Sequence, residues 1–556
     1  MDLKTRTAAE VLVDQLIIHG VTDVFCVPGE SYLPVLDAMI DRDIQVTVCR
    51  QEGGAAIMAE AVGKQTGRPG VCFVTRGPGA TNAAHGVHIA QQSSSPMILF
   101  VGQVDRGVRG RDAWQELDYG AVFGSMTKWA AEIDEAARVP EMVARAFQTA
   151  MNGRPGPVVL ALPEDMLRER VTVADAPPAK AVESAGDIGA IGELLGLLEQ
   201  AKSPFLLLGG SRWDAEARAA IAKFAERFEL PVATGFRRMP LFDPLHRNYA
   251  GDLGLGANPK LVERVKASDL VIVLGERLSE VTTQDYTLWD VPTPQTRLVH
   301  IYPDADEIGR VWSPHLAITA TPRAFAALAA DAQGTSVIPW RGSVEAAHAE
   351  YLAWSEAPTP QPGEVNIAEI MIWLREHLPA DAILTNGAGN FAAWVNRFYR
   401  VRRFGGHLGP NSGSMGYGVP AAVAMQRLYP GRRVVAVTGD GDFLMNGQEF
   451  ATAVQYGLPI MVLLFDNGIY GTIRMHQERE YPGRVSATDL KNPDFAAYAR
   501  AFGGFGATVE RTSDFPAAYE AAVASGMPSI VHVKFDPDGI SPTQTLSGIR
   551  AAALAR

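Results

Sequence analysis

Short apolar runs rich in β-branched residues alternate with stretches of helical character along the whole chain. Such a run, closed by turn residues, reads as a strand buried on both faces, the kind found in parallel sheets. In the first third, Val24-Phe-Cys-Val27 leads into Pro28-Gly29 and Val46-Thr-Val-Cys49 leads into Arg50-Gln51-Glu52. Val71-Cys-Phe-Val-Thr75 leads into Arg76-Gly-Pro-Gly-Ala80, and Met97-Ile-Leu-Phe-Val101 and Val158-Val-Leu-Ala-Leu162 continue the series. Ala174-Asp-Ala-Pro-Pro-Ala-Lys-Ala181 then reads as a linker. A second series holds Phe205-Leu-Leu-Leu-Gly-Gly210, Leu270-Val-Ile-Val-Leu274 and Leu298-Val-His-Ile301, and ends near Val337-Ile-Pro-Trp340. Ala357-Pro-Thr-Pro-Gln-Pro-Gly363 is a second linker, extended by its prolines. The third series includes Ala382-Ile-Leu-Thr385, Val434-Val-Ala-Val-Thr438 and Ile460-Met-Val-Leu-Leu-Phe465. The pattern predicts an α/β protein of three layered domains with parallel sheets, over residues 1–180, 185–345 and 360–556.

Composition agrees with that division. A chain of 556 residues is too long for one core. Its 47% hydrophobic and 20% charged residues are ordinary for a globular protein. A formal net charge of −12 argues against nucleic acid, which needs a basic surface. No apolar run has the length to cross a bilayer, so no membrane association is expected. The start, Met1-Asp-Leu-Lys-Thr-Arg-Thr-Ala-Ala-Glu10, carries acidic residues and does not read as a signal peptide, so a cytoplasmic enzyme is expected. Cys26, Cys49 and Cys72 have no metal-ligand spacing and are expected to be buried free thiols.

Candidate chemistry sits where strands end. Gly439-Asp440-Gly441-Asp442 follows one apolar run, and Asp466-Asn467 follows the next after a helix-sized gap. The carboxylate of Asp440 and the amide oxygen of Asn467 therefore emerge at strand C-terminal ends, where open α/β sheets bind ligands. Hard oxygen donors there suit Mg²⁺ held against a diphosphate. Gly439 and Gly441 let the backbone approach that diphosphate closely. Asn386-Gly-Ala-Gly389-Asn390-Phe391 offers glycines and backbone N–H groups for a second diphosphate contact, or is a plain turn. Glu52, beside Gly53-Gly54, is a helix N-terminal acid, or a proton-transfer group if it lies against a ligand ring.

The Gly-Asp-Gly and downstream Asn pattern resembles the diphosphate-binding signature of thiamine-diphosphate-dependent enzymes. The N-terminal motifs, Phe25-Cys-Val-Pro28-Gly29, Glu52, Thr75-Arg-Gly-Pro-Gly-Ala-Thr-Asn82, Gly102-Gln103-Val104, Asp112-Ala-Trp-Gln115-Glu116 and Thr127-Lys128-Trp129, resemble the acetolactate synthase group. The resemblance implies a pyrimidine-binding, a middle and a diphosphate-binding domain. It implies that Asp440, Asn467 and the carbonyl of Ile469 hold Mg²⁺. Glu52 would hydrogen-bond the aminopyrimidine and promote the tautomer that activates the cofactor. Gly413 would bind the same ring through its backbone, and Met415 would wedge between the two rings to preorganise the bent form. Pro28, Gly29, Asn82, Gly389, Asn390, Phe391, Gly439, Gly441, Asp442, Tyr470 and Gly471 complete the expected cofactor set. A homodimer or homotetramer is implied, with Glu52 of one subunit meeting the Asp440 site of another.

The implied activity is decarboxylation of a 2-oxo acid followed by carboligation to a second carbonyl compound. The alternatives are a non-carboligating decarboxylase or lyase, of the oxalyl-CoA decarboxylase or benzaldehyde lyase type, or a non-catalytic regulatory homologue. The chain also departs from the pattern. Asp466 stands in place of an Asn, and Asn390-Phe391 in place of a Gln/Glu-His pair. Thr472 replaces a Met, and His476 replaces a Trp that helps select the second substrate. His476 could be a proton donor in the pocket or a solvent-facing helix residue. Gln103, Gln115, Lys128 and Arg474 are candidate substrate contacts, Gln115 and His476 the candidate catalytic ones. In the middle domain Gly275-Glu-Arg277-Leu-Ser-Glu-Val281 lacks the acidic pair of the family's FAD-contacting run, so the reading leans against FAD.

Overall fold

The computed structural model describes residues 4–333 and 338–556. Three six-stranded sheets, every strand pair parallel, organise the chain, beside a small antiparallel ribbon of Thr5–Thr7 and Arg170–Thr172. In spatial order the N-terminal sheet runs Gln45–Val48, Asp23–Cys26, Gly70–Val74, Met97–Gln103, Pro157–Pro163 and Trp129–Glu132. The middle sheet runs Tyr249–Leu253, Val232–Gly235, Pro204–Leu208, Leu270–Leu274, Arg297–Tyr302 and Leu316–Thr319. The C-terminal sheet runs His407–Leu408, Ile383–Asn386, Val434–Gly439, Met461–Asp466, Ser529–Lys534 and Phe505–Val509.

Counted within each sheet, the first and third share the order 2-1-3-4-6-5, whereas the middle sheet has 3-2-1-4-5-6. Both are doubly wound orders, with a crevice at the C-terminal strand ends where the winding direction reverses. In the first sheet that reversal lies between the strands ending before Pro28-Gly29 and Thr75-Arg76. In the middle sheet it lies between those ending before Gly209 and Gly275, and in the third between those ending at Asn386 and Gly439.

The cores follow from the pleat. In the middle sheet Leu206, Leu208, Ile272 and Leu274 face one apolar cluster, while Phe205, Leu207, Val271 and Val273 face another. Alternate residues thus bury both faces, which is why these strands read as unbroken apolar runs. Cys26, Cys49 and Cys72 are buried free thiols, as expected. Residues 174–181 contain no helix or strand, and neither do residues 357–363. Of the expected end of the second series, Val337 lies outside the described residues. Trp340 is buried, its indole N–H donating to the carbonyls of Phe228 and Glu229 at 2.9 and 3.0 Å. Among the described residues no helix is long and apolar enough to cross a membrane.

The chain forms two compact units. One comprises Met1–Val182, Pro410–Pro430 and Leu444–Leu458; the other comprises Glu183–Gly409, Gly431–Phe443 and Pro459–Arg556. The first unit therefore holds the N-terminal sheet together with helices Gly418–Leu428 and Glu449–Gln455.

Candidate active site

In the first unit, strand Gln45–Val48 turns at Cys49–Gln51 into helix Glu52–Thr66. Gln51 caps that helix by accepting from the Gly54 N–H at 3.1 Å. Glu52 is half-buried at the first helical position, and its Oε2 accepts from the Asn82 amide at 2.9 Å. Asn82 stands on helix Pro78–Ser93, which follows strand Gly70–Val74, so the ends of two strands that flank Asp23–Cys26 bring these two candidates together. Pro28-Gly29 lies against the same edge. A Cβ at Gly29 would come within 2.5 Å of Thr75 Cβ, so only glycine permits that approach.

Gln115 has φ +63°, and its buried amide oxygen has no hydrogen-bond partner among the described residues. A buried acceptor left unsatisfied is a natural contact for a ligand donor. Gln103 is occupied internally: its amide donates to Leu117 O and accepts from Val104 N, both at 2.9 Å. Lys128 donates to the Asn152 carbonyl. Met415 is half-buried in the loop Asn411–Tyr417. Gly413 and Gly416 have φ +67° and +83°, and the Gly416 carbonyl accepts from the Asn446 amide at 3.0 Å. Tyr417 is fully buried and its hydroxyl donates to Glu60 at 2.7 Å. Sequence reading missed that anchor because nothing in the pattern marks Glu60 as facing inward.

In the second unit Gly439 ends its strand and Asp440 starts helix Asp440–Asn446. Asp440 is 4% exposed; its Oδ2 accepts from the Asn492 amide at 2.7 Å and from Gly468 N at 3.0 Å. The same two donors reach Asp466 Oδ1, at 2.8 and 3.0 Å, while His532 Nε2 lies 2.8 Å from Asp466 Oδ2. Burial, with the Asp466 carboxylate beside it, pushes the Asp440 carboxyl up to about 7. Burial works against ionisation of Asp466 too, but His532 and Asn492 hold its carboxyl below the ordinary value. Two carboxylates so placed lack positive charge, which a hard divalent cation would supply. Asn492 and His532 escaped the sequence reading because neither belongs to the motif.

Around this pair the glycines make room for specific neighbours. A Cβ at Gly441 would lie 2.6 Å from the Tyr470 ring, one at Gly439 3.1 Å from Phe391, and one at Gly387 1.9 Å from Asp442 Oδ2. Asp442 is buried and accepts from Ala388 N at 3.0 Å, tying the Asn386–Phe391 turn to the Gly-Asp-Gly motif. Gly389 abuts Phe391. The Asn390 amide accepts from the Thr472 hydroxyl at 2.8 Å and donates to Ile540 O at 3.0 Å. Asn467 is half-buried, its Oδ1 3.4 Å from Ile469 N, and Ile469 is buried. Tyr470 and Gly471 lead into helix Gly471–Glu480. On that helix His476 is exposed, and Arg474 is engaged by Thr488 and Asp489 at 2.7 and 2.5 Å.

The chain matches three family models: the thiamine pyrophosphate enzyme N-terminal TPP binding domain over residues 6–122, the central domain over 191–329 and the C-terminal TPP binding domain over 387–533. It is 32% identical over 551 residues to an acetolactate synthase large subunit of Parasynechococcus marenigrum, covering 95% of this chain and 88% of that protein. The chain belongs to the thiamine pyrophosphate enzyme family. The acetolactate synthase isozyme 2 large subunit of Escherichia coli is 30% identical over 534 residues, covering 95% of both chains. Among solved structures, the thiamine diphosphate-dependent 4-hydroxybenzoylformate decarboxylase of Rhodococcus jostii matches with a TM-score of 0.82 and 26% identity, over 96% of this chain and 99% of that one. This member of the family is therefore a thiamine-diphosphate-dependent enzyme of the acetolactate synthase-like type.

The donor set fits the metal. Among the described residues no three His, Cys, Asp or Glu side chains cluster to hold an ion. A cation held at Asp440 would need amide, carbonyl or phosphate oxygens to complete its shell, as Mg²⁺ on a diphosphate does.

In the middle crevice the strand-end glycines lie against the chain's own groups. A Cβ at Gly209 would lie 2.0 Å from Glu276 Oε2, one at Gly235 2.2 Å from the same oxygen, and one at Gly210 1.8 Å from Gly275 O. Its glycines admit the chain's own carboxylate and backbone.

Proposed function

We propose that the enzyme decarboxylates a 2-oxo acid and ligates the remaining carbon unit to a second carbonyl compound, as an acetolactate synthase-like carboligase. The observation that carries this reading is the buried Asp440 site at the reversal point of the third sheet, in a chain similar to acetolactate synthases over nearly its whole length. Bound there, thiamine diphosphate would supply the nucleophilic carbon and the electron sink that loss of CO₂ requires.

The residues around it bind and orient. Asp440, Asn467 and the Ile469 carbonyl would hold Mg²⁺, with Gly439, Gly441, Asp442 and the Gly389-Asn390-Phe391 turn about the diphosphate. Tyr470 and Gly471 would close that end. Pro28, Gly29, Asn82, Gly413 and Met415 would hold the aminopyrimidine, and Glu52 would move the activating proton to and from its ring. Gln115 would meet substrate through its unpartnered amide oxygen, with His476 as a further polar group at the entrance. Gln103, Lys128 and Arg474 would shape the pocket through the bonds they already make. Domains over residues 1–180, 185–345 and 360–556 would serve as pyrimidine-binding, middle and diphosphate-binding parts. A cytoplasmic homodimer or homotetramer without flavin completes the proposal.

The test is product analysis. Enzyme loaded with Mg²⁺ and thiamine diphosphate is given pyruvate, alone and with an aldehyde acceptor, and products are read by NMR. A 2-hydroxy ketone or 2-hydroxy-2-methyl-3-oxo acid is expected; acetaldehyde without any ligated product would overturn the carboligase reading. That outcome would favour the second reading, a simple decarboxylase, which the likeness to the Rhodococcus jostii decarboxylase supports. Unchanged function in Glu52→Gln would leave only a non-catalytic role.

A further inference from the structure

Helix Glu449–Gln455 and the residue after it turn a row of polar side chains toward the strand end that carries Glu52. Glu449 Oε1 accepts from the N–H groups of Arg50 and Gln51, each at 3.0 Å. The Thr452 hydroxyl donates to the other oxygen, Oε2, at 2.6 Å. Gln455 Oε1 accepts from the Arg50 guanidinium at 2.6 Å, and the Tyr456 hydroxyl accepts from Val48 N at 2.8 Å. Positions 449, 452 and 455–456 fall on one helical face, so a single helix grips strand Gln45–Val48 and the turn after it.

The two N–H groups that Glu449 takes belong to the turn and have no carbonyl one helical turn behind them. A fully buried carboxylate satisfies both through charge-assisted bonds, stronger than neutral ones. Other polar groups around the turn are also engaged: Cys49 N donates to Cys26 O at 2.8 Å, Gly54 N to the Gln51 side chain at 3.1 Å and Ala55 N to Gln51 O at 3.0 Å. Gly54 leaves the space the carboxylate needs, since a Cβ there would lie 2.7 Å from Glu449 Oε1.

We infer that Glu449 is a positioning residue for Glu52, fixing the two backbone N–H groups that precede it and thereby the direction in which its carboxylate leaves the helix. This rests on the reading of Glu52 as the group that activates the cofactor. Glu449 need touch neither cofactor nor substrate to act. A displacement of about 1 Å in such a group costs on the order of a hundredfold in rate.

The test uses the full-length enzyme loaded with Mg²⁺ and thiamine diphosphate and reads hydrogen–deuterium exchange at the thiazolium C2, together with cofactor affinity and thermal midpoint. Glu449→Ala should slow exchange by about tenfold to a hundredfold with the cofactor still bound at stoichiometry. Glu449→Gln keeps an acceptor oxygen and should exchange within about threefold of wild type. Gly54→Ala, which pushes the carboxylate aside, should resemble Glu449→Ala. Should Glu449→Ala fail to fold, Glu449→Asp, with charge kept and reach shortened, takes its place and should fall between Ala and Gln. Glu52→Gln is the control. Fast exchange in Glu52→Gln would sink the underlying reading of Glu52. Slow exchange in Glu52→Gln with wild-type exchange in Glu449→Ala, Glu449→Asp and Gly54→Ala would overturn the inference alone, as would equal slowing in Glu449→Gln and Glu449→Ala.

Discussion

The middle and C-terminal sheets each put glycines and carboxylates at the point where the winding direction reverses, yet the two crevices are built for opposite ends. In the C-terminal one, Asp440 and Asp466 share the donors Asn492 and Gly468, and burial with mutual proximity lifts the Asp440 carboxyl to about 7. That is a place short of positive charge. In the middle one, Glu276 lies across Gly209 and Gly235, and Asp252 accepts from Thr234 at 3.2 Å near the buried Arg237. Arg237, at φ +57°, turns its guanidinium to the Gly387 carbonyl at 3.0 Å, so the crevice's own cation is bound to the turn that precedes Asn390. Doubly wound topology marks where a ligand can bind. Whether one does is decided by what the strand ends put there.

The largest expected effect comes from removing the acid that defines the open crevice. Asp440→Asn should weaken Mg²⁺ and thiamine diphosphate binding by at least about a hundredfold, read as loss of the cofactor-induced rise in thermal midpoint. Glu276→Gln, the matching change in the middle crevice, should leave that rise intact. If both variants lost it equally, the two crevices would be one coupled site and the contrast would fail. Next comes Asn492→Ala, which takes away the amide that bridges Asp440 and Asp466. Support of this kind around a metal ligand is worth about tenfold to a hundredfold in affinity, so calorimetric titration with Mg²⁺ should show a loss in that range. Smaller still is the response to flavin. Protein incubated with FAD and desalted should carry no bound-flavin absorbance, and a yellow protein with one flavin per chain would show that Glu276 moves aside.

The same contrast explains what was legible. Central strands such as Leu270–Leu274 and Val434–Gly439 are buried on both faces and announce themselves as apolar runs. Edge strands do not. Leu316–Thr319 alternates buried and exposed residues over four positions, too short for a period to register. Asp440, Asn467 and Glu52 were visible because each follows a run at fixed spacing. Asn492, His532, Glu60 and Glu449 were not, because a supporting residue needs only to arrive in space and its position in sequence is free. At Gly209 and Gly210 the sequence does not show what the glycines make room for, and only the fold shows Glu276 and Gly275 against them.

Last comes a test of whether the middle crevice is closed to water. Removal from water is the main cause that pushes the Asp252 carboxyl from an ordinary 3.8 up to about 8; Glu276 adds to the rise, and Thr234 and Arg237 oppose it. An acid whose folded value lies above its unfolded one binds its proton more tightly in the native state. Its contribution is therefore complete below about pH 4 and is eroded as pH rises toward 8, with no further change beyond. Asp252→Asn cannot ionise and should escape that erosion. The variant should gain on wild type between pH 5 and pH 8 by about 3 to 4 kcal/mol, read from denaturant midpoints at the two pH values. Parallel curves would mean that Asp252 stays hydrated in the native protein. The crevice would then be open to solvent, and the difference between the two strand-end sites would lie in charge alone and not in space.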